Sequence, residues 1–217
     1  MKYYDITPAI SADLAVFPGD EPFCRKVSLD FKSGQNLLLS SIKSTLHIGA
    51  HADGSNHYHV EGVGVDKRDL NLFFGPAQVI TVTTRKGERI NVKDLNGVPL
   101  KCPRLLLKTS SFVNPEQWNS DFCSLSPELV HYLADQNIKM IGIDTPSVDP
   151  ETSKKLESHQ AIFARSLAIL EGLWLEEVHD GIYFLSALPL KIKDGDSGPV
   201  RAALWDLNVL TDYLKSL

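Results

Sequence analysis

Short apolar runs separated by turn residues dominate the chain, and they predict more strand than helix. The run 77–84, Ala-Gln-Val-Ile-Thr-Val-Thr-Thr, is rich in β-branched residues. Runs 104–109, 138–143, 167–170, 181–189 and 200–207 are similar short segments, and 2–6 adds a strand near the start. The segment 37–48 mixes apolar residues with Ser and Thr and reads as a strand that ends by delivering His47. Helix signals are fewer. Ser126 is an N-cap, Pro127 takes the first helical position, and Leu129, Val130, Leu133 and Ala134 form an apolar face. Residues 160–166 predict a second helix, 66–74 a short one stopped by Gly75-Pro76, and 210–217 a terminal turn or two. Three prolines and the turn Pro18-Gly19-Asp20 make 8–23 a structured loop. The expected fold is mixed α/β and rich in sheet, without strict βαβ regularity.

Onto this pattern the chain places four of its seven histidines within thirteen residues: His47, His51, His57 and His59, with Asp53 among them. Imidazole and carboxylate are the ligand types of Zn²⁺, Mn²⁺ and Fe²⁺. In an extended strand, side chains alternate faces, so 47, 51 and 53 would share one face. A helix would align 47 with 51 but swing 53 round the axis, and Gly49 and Gly54 disfavour a helix interior. The expectation is a strand ending in a loop, with His47, His51 and Asp53 converging on a metal. A solvated polar loop is the plainer alternative, and a closed structural zinc site would favour a cysteine that is not nearby. Further donors must come from elsewhere. His159 at a helix start and Glu171 at the end of an apolar strand are the best candidates, each ordinary when taken alone. His131 and His179 lie among polar neighbours and read as surface residues.

Composition narrows the class. A chain of 217 residues with 43% hydrophobic and 23% charged content fits one soluble domain, 1–217, with a core of its own. A net charge of −5 without a basic stripe argues against a nucleic-acid partner or an acidic membrane surface. No apolar run is long enough to span a bilayer, and Met1-Lys-Tyr-Tyr-Asp lacks a signal core. Cys24, Cys102 and Cys123 form no CxxC pair and suit a reducing cytoplasm.

The run His-x-Gly-x-His-x-Asp-x-x-x-His over 47–57 resembles the signature of the metal-dependent cyclase/hydrolase superfamily, most closely its kynurenine formamidase (arylformamidase) branch. The resemblance extends over Tyr4-Asp5-Ile6-Thr7-Pro8, Val16-Phe17-Pro18-Gly19-Asp20, Gly142-Ile143-Asp144-Thr145-Pro146, and Ser197-Gly198-Pro199-Val200-Arg201-Ala202. It implies a swivelling β/β/α domain, a homodimer or homotetramer, and one or two divalent ions, zinc first and manganese or iron as alternatives. It implies His47, His51, Asp53, His159 and Glu171 as ligands, with Asp53 and Glu171 able to bridge two ions. His57 would be catalytic and Phe17 would line the substrate pocket. One departure stands out: the family often carries Pro two residues after the aspartate, where this chain has Ser55, preceded by Gly54. Losing a rigid proline beside a glycine predicts a loop that is more mobile or reshaped.

The reaction implied is hydrolysis of a small aryl amide, N-formylkynurenine giving kynurenine and formate, with His57 moving the proton that an arylamine needs in order to leave. His59 is either a supporting partner or a solvated loop residue. Three rivals remain at this level: a cyclic-amide (isatin-like) hydrolase on the same metals, a metal-dependent structural domain without turnover, and a serine hydrolase suggested by Gly195-Asp196-Ser197-Gly198-Pro199. The last is disfavoured because no His and Asp are placed for a triad and short motifs recur by chance. No dinucleotide or Walker motif supports nucleotide chemistry.

Overall fold

The structure is a computed structural model describing residues 3–215, so Lys2 of the first expected strand and residues 216–217 of the terminal helix lie outside it. Thirteen strands follow in chain order: β1 Tyr3–Asp5, β2 Cys24–Leu29, β3 Leu39–Lys43, β4 His51–Asp53, β5 Phe74–Thr81, β6 Arg89–Ile90, β7 Arg104–Lys108, β8 Ser124–Leu125, β9 Met140–Ile143, β10 Ala168–Glu171, β11 Gly181–Ser186, β12 Ser197–Pro199 and β13 Ala203–Asp206. Helices α1 Pro127–Asp135, α2 Glu157–Ala164 and α3 Leu207–Lys215 complete the regular structure, with several short 3-10 turns.

Nine strands form one mixed sheet in the order β1-β13-β11-β5-β7-β9-β10-β4-β12. Its centre, β5-β7-β9-β10, is parallel, and the flanking pairs are antiparallel. The parallel strands carry the most continuously apolar sequences, Leu105-Leu-Leu107, Met140-Ile-Gly-Ile143 and Ala168-Ile-Leu170, because both of their faces are covered. Alternation splits each strand between two cores. Leu105, Leu107, Ile141, Ile143 and Ile169 face α1 and α2 through Leu129, Leu133 and Ile162. Leu106, Met140, Ala168 and Leu170 face a second core. That second core also holds Ala52 of β4 and Leu204 of β13, from near opposite ends of the strand order, so the sheet curls round it. This is the mixed, sheet-rich α/β architecture expected from the sequence.

Four local expectations change. The segment 37–48 is not one strand: β3 stops at Lys43, and His47 rides on the irregular connection to β4. Thr45 redirects the chain there. Its hydroxyl donates to Asp20 at 3.1 Å and accepts from the His47 amide at 3.3 Å, and Gly49 then adopts φ +56. The short helix expected at 66–74 is two 3-10 turns, Val65–Lys67 and Leu70–Leu72. Gly75-Pro76 sits inside β5 rather than ending a helix. Proline is tolerated because β5 pairs with β7 only from Gln78 onward, so on that side the missing N–H leaves no ladder bond unmade. Helix α2 begins at Glu157, three residues earlier than expected, which puts His159 in its first turn.

Helix α1 follows its sequence signal closely. The Ser126 hydroxyl accepts from the Leu129 amide at 3.1 Å, and Pro127 occupies the first turn. Ser126 is buried, so no water replaces the lost partner on truncation. Ser126→Ala is expected to lower unfolding free energy by about 1 kcal/mol. A urea titration reads this directly, and an unchanged midpoint would contradict it.

Candidate active site

Strand β4 is only three residues long, yet it lies between β10 and β12, so its backbone is fixed on both sides. His51 and Asp53 occupy alternate positions on it and therefore share a face. Glu171 pairs directly across from His51 at the end of β10. His47 arrives from the preceding loop and His159 from the first turn of α2. The structure brings all five expected donors together. The His47 Nδ1 lies 3.3 Å and the His51 Nε2 3.7 Å from Asp53 Oδ1. On the other side of that carboxylate, His159 Nε2 lies 3.6 Å from Oδ2. Glu171 faces His51 with Oε2 at 3.1 Å and His159 with Oε1 at 3.7 Å.

Two glycines permit this approach. Gly172, at φ +65, runs so close to the His47 loop that an added Cβ would lie 2.2 Å from the Gly49 carbonyl oxygen. Gly54 is extended rather than left-handed, but a Cβ there would meet Asn56 Oδ1 at 2.5 Å and the Gly195 oxygen at 2.8 Å. The loop that carries Gly54, Ser55 and His57 is therefore closely packed and hydrogen-bonded. The Gly54 amide donates to the Asp196 carbonyl at 2.9 Å, and the Val63 amide donates to the Ser55 hydroxyl at 2.9 Å.

The supporting contacts fix which ring nitrogen faces inward. His51 Nδ1 donates to the Gly49 carbonyl at 2.9 Å, leaving Nε2 toward the carboxylates. Asp149 sits 2.8 Å from His159 Nδ1 and is itself held by Arg89 at 2.8 Å and by the Ser158 and His159 amides. Carboxylate–imidazole pairs of this kind orient metal ligands in general. Asp196 plays a similar part on the open side, with Oδ2 3.1 Å from His47 Nε2 and 3.9 Å from His57 Nδ1. Sequence reasoning passed over both aspartates. Asp149 lies three residues beyond the Gly142–Pro146 segment and could have been found from there, whereas Asp196 lay in a segment read only as a protease-like motif. That motif is now explained. Ser197 is buried in β12 and donates its hydroxyl to the Ala52 carbonyl at 3.1 Å, so it is no nucleophile.

The cluster is electrically demanding. Burial alone would protonate Asp53, but His159, His47 and His51 override it and hold the carboxyl well below the usual range. Burial alone would neutralise His47, but Asp53, Glu171 and Asp196 override it and raise the imidazole to about 9. His159 is raised to about 10 against its burial, by Asp149, Asp53 and Glu171. His57 moves the other way: burial dominates and lowers its pKa. Its side chain is 36% exposed, and its ring lies 4.1 Å from that of His47. His59 faces elsewhere, stacked on Phe163 with ring centroids 3.6 Å apart. His131 and His179 are exposed, as expected.

A donor set fits a metal when inward lone pairs lack other partners and are spaced for one ion. Both Asp53 oxygens are buried without an aligned hydrogen-bond donor. Ligands about 2.0–2.2 Å from a tetrahedral ion lie roughly 3.3–3.6 Å apart, close to the separations here. His47, His51, Asp53 and Glu171 form one such group, and Asp53, His57 and His159 another. The cluster floors a cleft of about 520 Å³ walled by Phe17, Phe112, Trp118 and Trp174. Phe17 meets Trp118 edge-on at 5.2 Å within that wall.

A curled mixed sheet with a buried His/Asp/Glu cluster at the foot of an aromatic cleft defines a class of enzyme-like architecture, and comparison with known proteins supplies the family. Residues 4–150 match the Cyclase family model, described as “Putative cyclase”, and the chain belongs to that family. The kynurenine formamidase of Delftia acidovorans is 38% identical over 203 residues, covering 94% of this chain and 97% of that protein. Among solved structures, a predicted metal-dependent hydrolase from Bacillus stearothermophilus is similar at TM-score 0.79 and 27% identity, covering 94% of this chain and 97% of that one. Isatin hydrolase A from Labrenzia aggregata, bound to benzyl benzoate, shares the fold at TM-score 0.77 and 21% identity, covering 94% and 93%.

The raised imidazoles carry a pH signature in the metal-free protein. Folded His47 and His159 hold protons that their unfolded counterparts release near 6.5, so their contribution is complete below that pH and is lost as pH rises toward 9–10. Thermal melts in excess chelator are expected to show a melting temperature that falls from pH 6.5 to 9.5. A rising or flat profile would contradict the assignment.

Proposed function

We propose that the chain is a metal-dependent amide hydrolase that converts N-formyl-L-kynurenine to L-kynurenine and formate. One observation carries the reading: a buried carboxylate, Asp53, has both oxygens turned toward imidazoles that no hydrogen bond aligns, at the foot of an aromatic cleft. The relative of Delftia acidovorans, a kynurenine formamidase, supports the substrate. His47, His51 and Asp53 would hold one divalent ion, and Asp53, His159 and Glu171 a second, because each carboxylate presents its two oxygens to different imidazoles. An all nitrogen and oxygen donor set suits zinc, with manganese and iron as the alternatives. Such an ion supplies a water acidified from about 15.7 to about 7 and withdraws charge from a carbonyl oxygen.

The chain's own residues do the rest. Phe17 and Trp118 provide ring faces and edges for an aryl group, excluding water from the formamide beside it. His57 is kept neutral by burial, so it can take a proton from the attacking water. As the C–N bond of the formamide breaks, the same imidazolium gives that proton to the aniline nitrogen, whose anion is too basic to leave. Asp196, beside both His57 and His47, holds the two rings in register.

The remaining parts of the reading concern assembly and compartment. Hairpin β2–β3 is exposed along nearly its whole length, with Phe31 64% and Ile42 69% exposed. An isolated two-stranded hairpin is marginal in water, so a second copy of the chain is the occupant assigned to this arm, giving a homodimer or a tetramer built from it. Three free cysteines suit the cytoplasm. No helix among the described residues is long and apolar enough to cross a membrane.

Two measurements test these points. His57→Ala is expected to keep its metal while losing 10²-fold or more in kcat on N-formylkynurenine, roughly the usual worth of a general acid–base group. Asp53→Ala should lose the metal itself. Elemental analysis beside an assay of N-formylkynurenine against isatin reads both, and faster turnover of isatin would move the assignment to the cyclic amide. Ile42→Asp is expected to shift the light-scattering mass from dimer to monomer; a monomeric wild type would reject the assembly.

A further inference from the structure

The cleft has charge as well as rings on its walls. Lys154 is the only Lys or Arg among the described residues that line it. The loop that carries it, between β9 and α2, also presents Glu151 three residues earlier. Glu151 is fixed, since its Oε2 accepts from Trp118 Nε1 at 2.8 Å. Trp118 is in turn the centre of the aromatic wall, edge-on to Phe17 at 5.2 Å and to Phe112 at 5.8 Å. The carboxylate is therefore tied to the surface on which an aryl ring would lie. Lys154 has no carboxylate within ion-pair distance among the described residues, so its ammonium is free to receive one.

The spacing from the reacting end is also set by the chain. Asp149, which holds His159, lies two residues before Glu151. Two residues span at most about 7 Å. A substrate whose scissile amide meets the histidine cluster and whose ring meets Trp118 would thus bring an ortho substituent to the Glu151–Lys154 loop. Opposite charges three residues apart match a group that bears an ammonium and a carboxylate on one carbon.

We infer that Glu151 and Lys154 form a specificity subsite for a zwitterionic α-amino-acid tail, Glu151 receiving the ammonium and Lys154 the carboxylate. The inference rests on the formamide-hydrolase reading above and adds the residues that select an amino-acid-bearing aryl formamide over a tail-less aryl amide. Glu151 and Lys154 are binding residues in this scheme and take no part in proton transfer.

The test compares two substrates that share the aryl ketone and the formamide: N-formylkynurenine, and N-(2-acetylphenyl)formamide, which lacks the amino-acid group. Lys154→Met and Glu151→Gln are each expected to raise KM for N-formylkynurenine about tenfold, the usual worth of a charge-assisted hydrogen bond, with kcat within about threefold. The ratio of kcat/KM between the two substrates should fall by the same factor. Lys154→Glu should lower it further. Inhibition by the product L-kynurenine should weaken in parallel, which a change confined to turnover would not produce. An unchanged ratio in Lys154→Met and Lys154→Glu would overturn the subsite, as would equal losses on both substrates. If the wild type cleaves the tail-less formamide as well as N-formylkynurenine, the subsite fails while the hydrolase reading stands. If it cleaves neither, the hydrolase reading fails and takes the subsite with it.

Discussion

The structure is organised around the need to neutralise two carboxylates buried side by side. Asp53 and Glu171 are nearly inaccessible to water, and a charge in that position is costly unless positive partners surround it. His47, His51 and His159 supply the partners from a loop, a strand and a helix start, and each ring is steered by something behind it: Asp196, the Gly49 carbonyl and Asp149. The fold around the site can be read as the means of holding these groups against their own repulsion. Strand β4 is pinned between two neighbours, α2 presents its first turn, and β10 ends where Glu171 is needed.

The division of labour between sheet and loops follows from the same constraint. His51, Asp53, Glu171 and His159 sit on strands or on a helix start, where backbone hydrogen bonds fix them, and His47 is held in its loop through Thr45. The groups that face the cleft, Phe17, Phe112, Trp118 and the Glu151–Lys154 loop, come from connections between elements. The aromatic wall is held by edge-on ring contacts and by the Trp118–Glu151 hydrogen bond, not by the sheet.

Much of the site was legible in the sequence, for reasons that differ by residue. His51 and Asp53 follow from strand alternation alone, and the structure places them as that rule requires. His47 was expected on the same strand for the same reason, yet it reaches the cluster through a loop that Thr45 and Gly49 bend back, a tertiary arrangement that periodicity does not encode. His159 and Glu171 were only candidates from their places at a helix start and a strand end, and the family resemblance joined them to the first cluster, because nothing local links residues so distant from it. Asp149 and Asp196 escaped because a residue that acts through another carries no spacing of its own. The fold shows the same division. The apolar runs of β7, β9 and β10 and the cap of α1 speak for themselves, whereas β5 contains a Gly-Pro near its start that reads locally as a stop and is tolerated because its neighbour β7 pairs only from Gln78 onward.

Gly172 shows what this construction leaves open to change. A single methyl group there would collide with the Gly49 carbonyl, so the end of β10 and the His47 loop are locked to one another without room for even the smallest side chain. The floor of the cleft is thereby closed to gradual variation, while its walls, made of loops, tolerate it. New substrates would be acquired by redrawing those walls over an unaltered foundation, and a family on this fold would diversify in what it admits before it altered how it reacts.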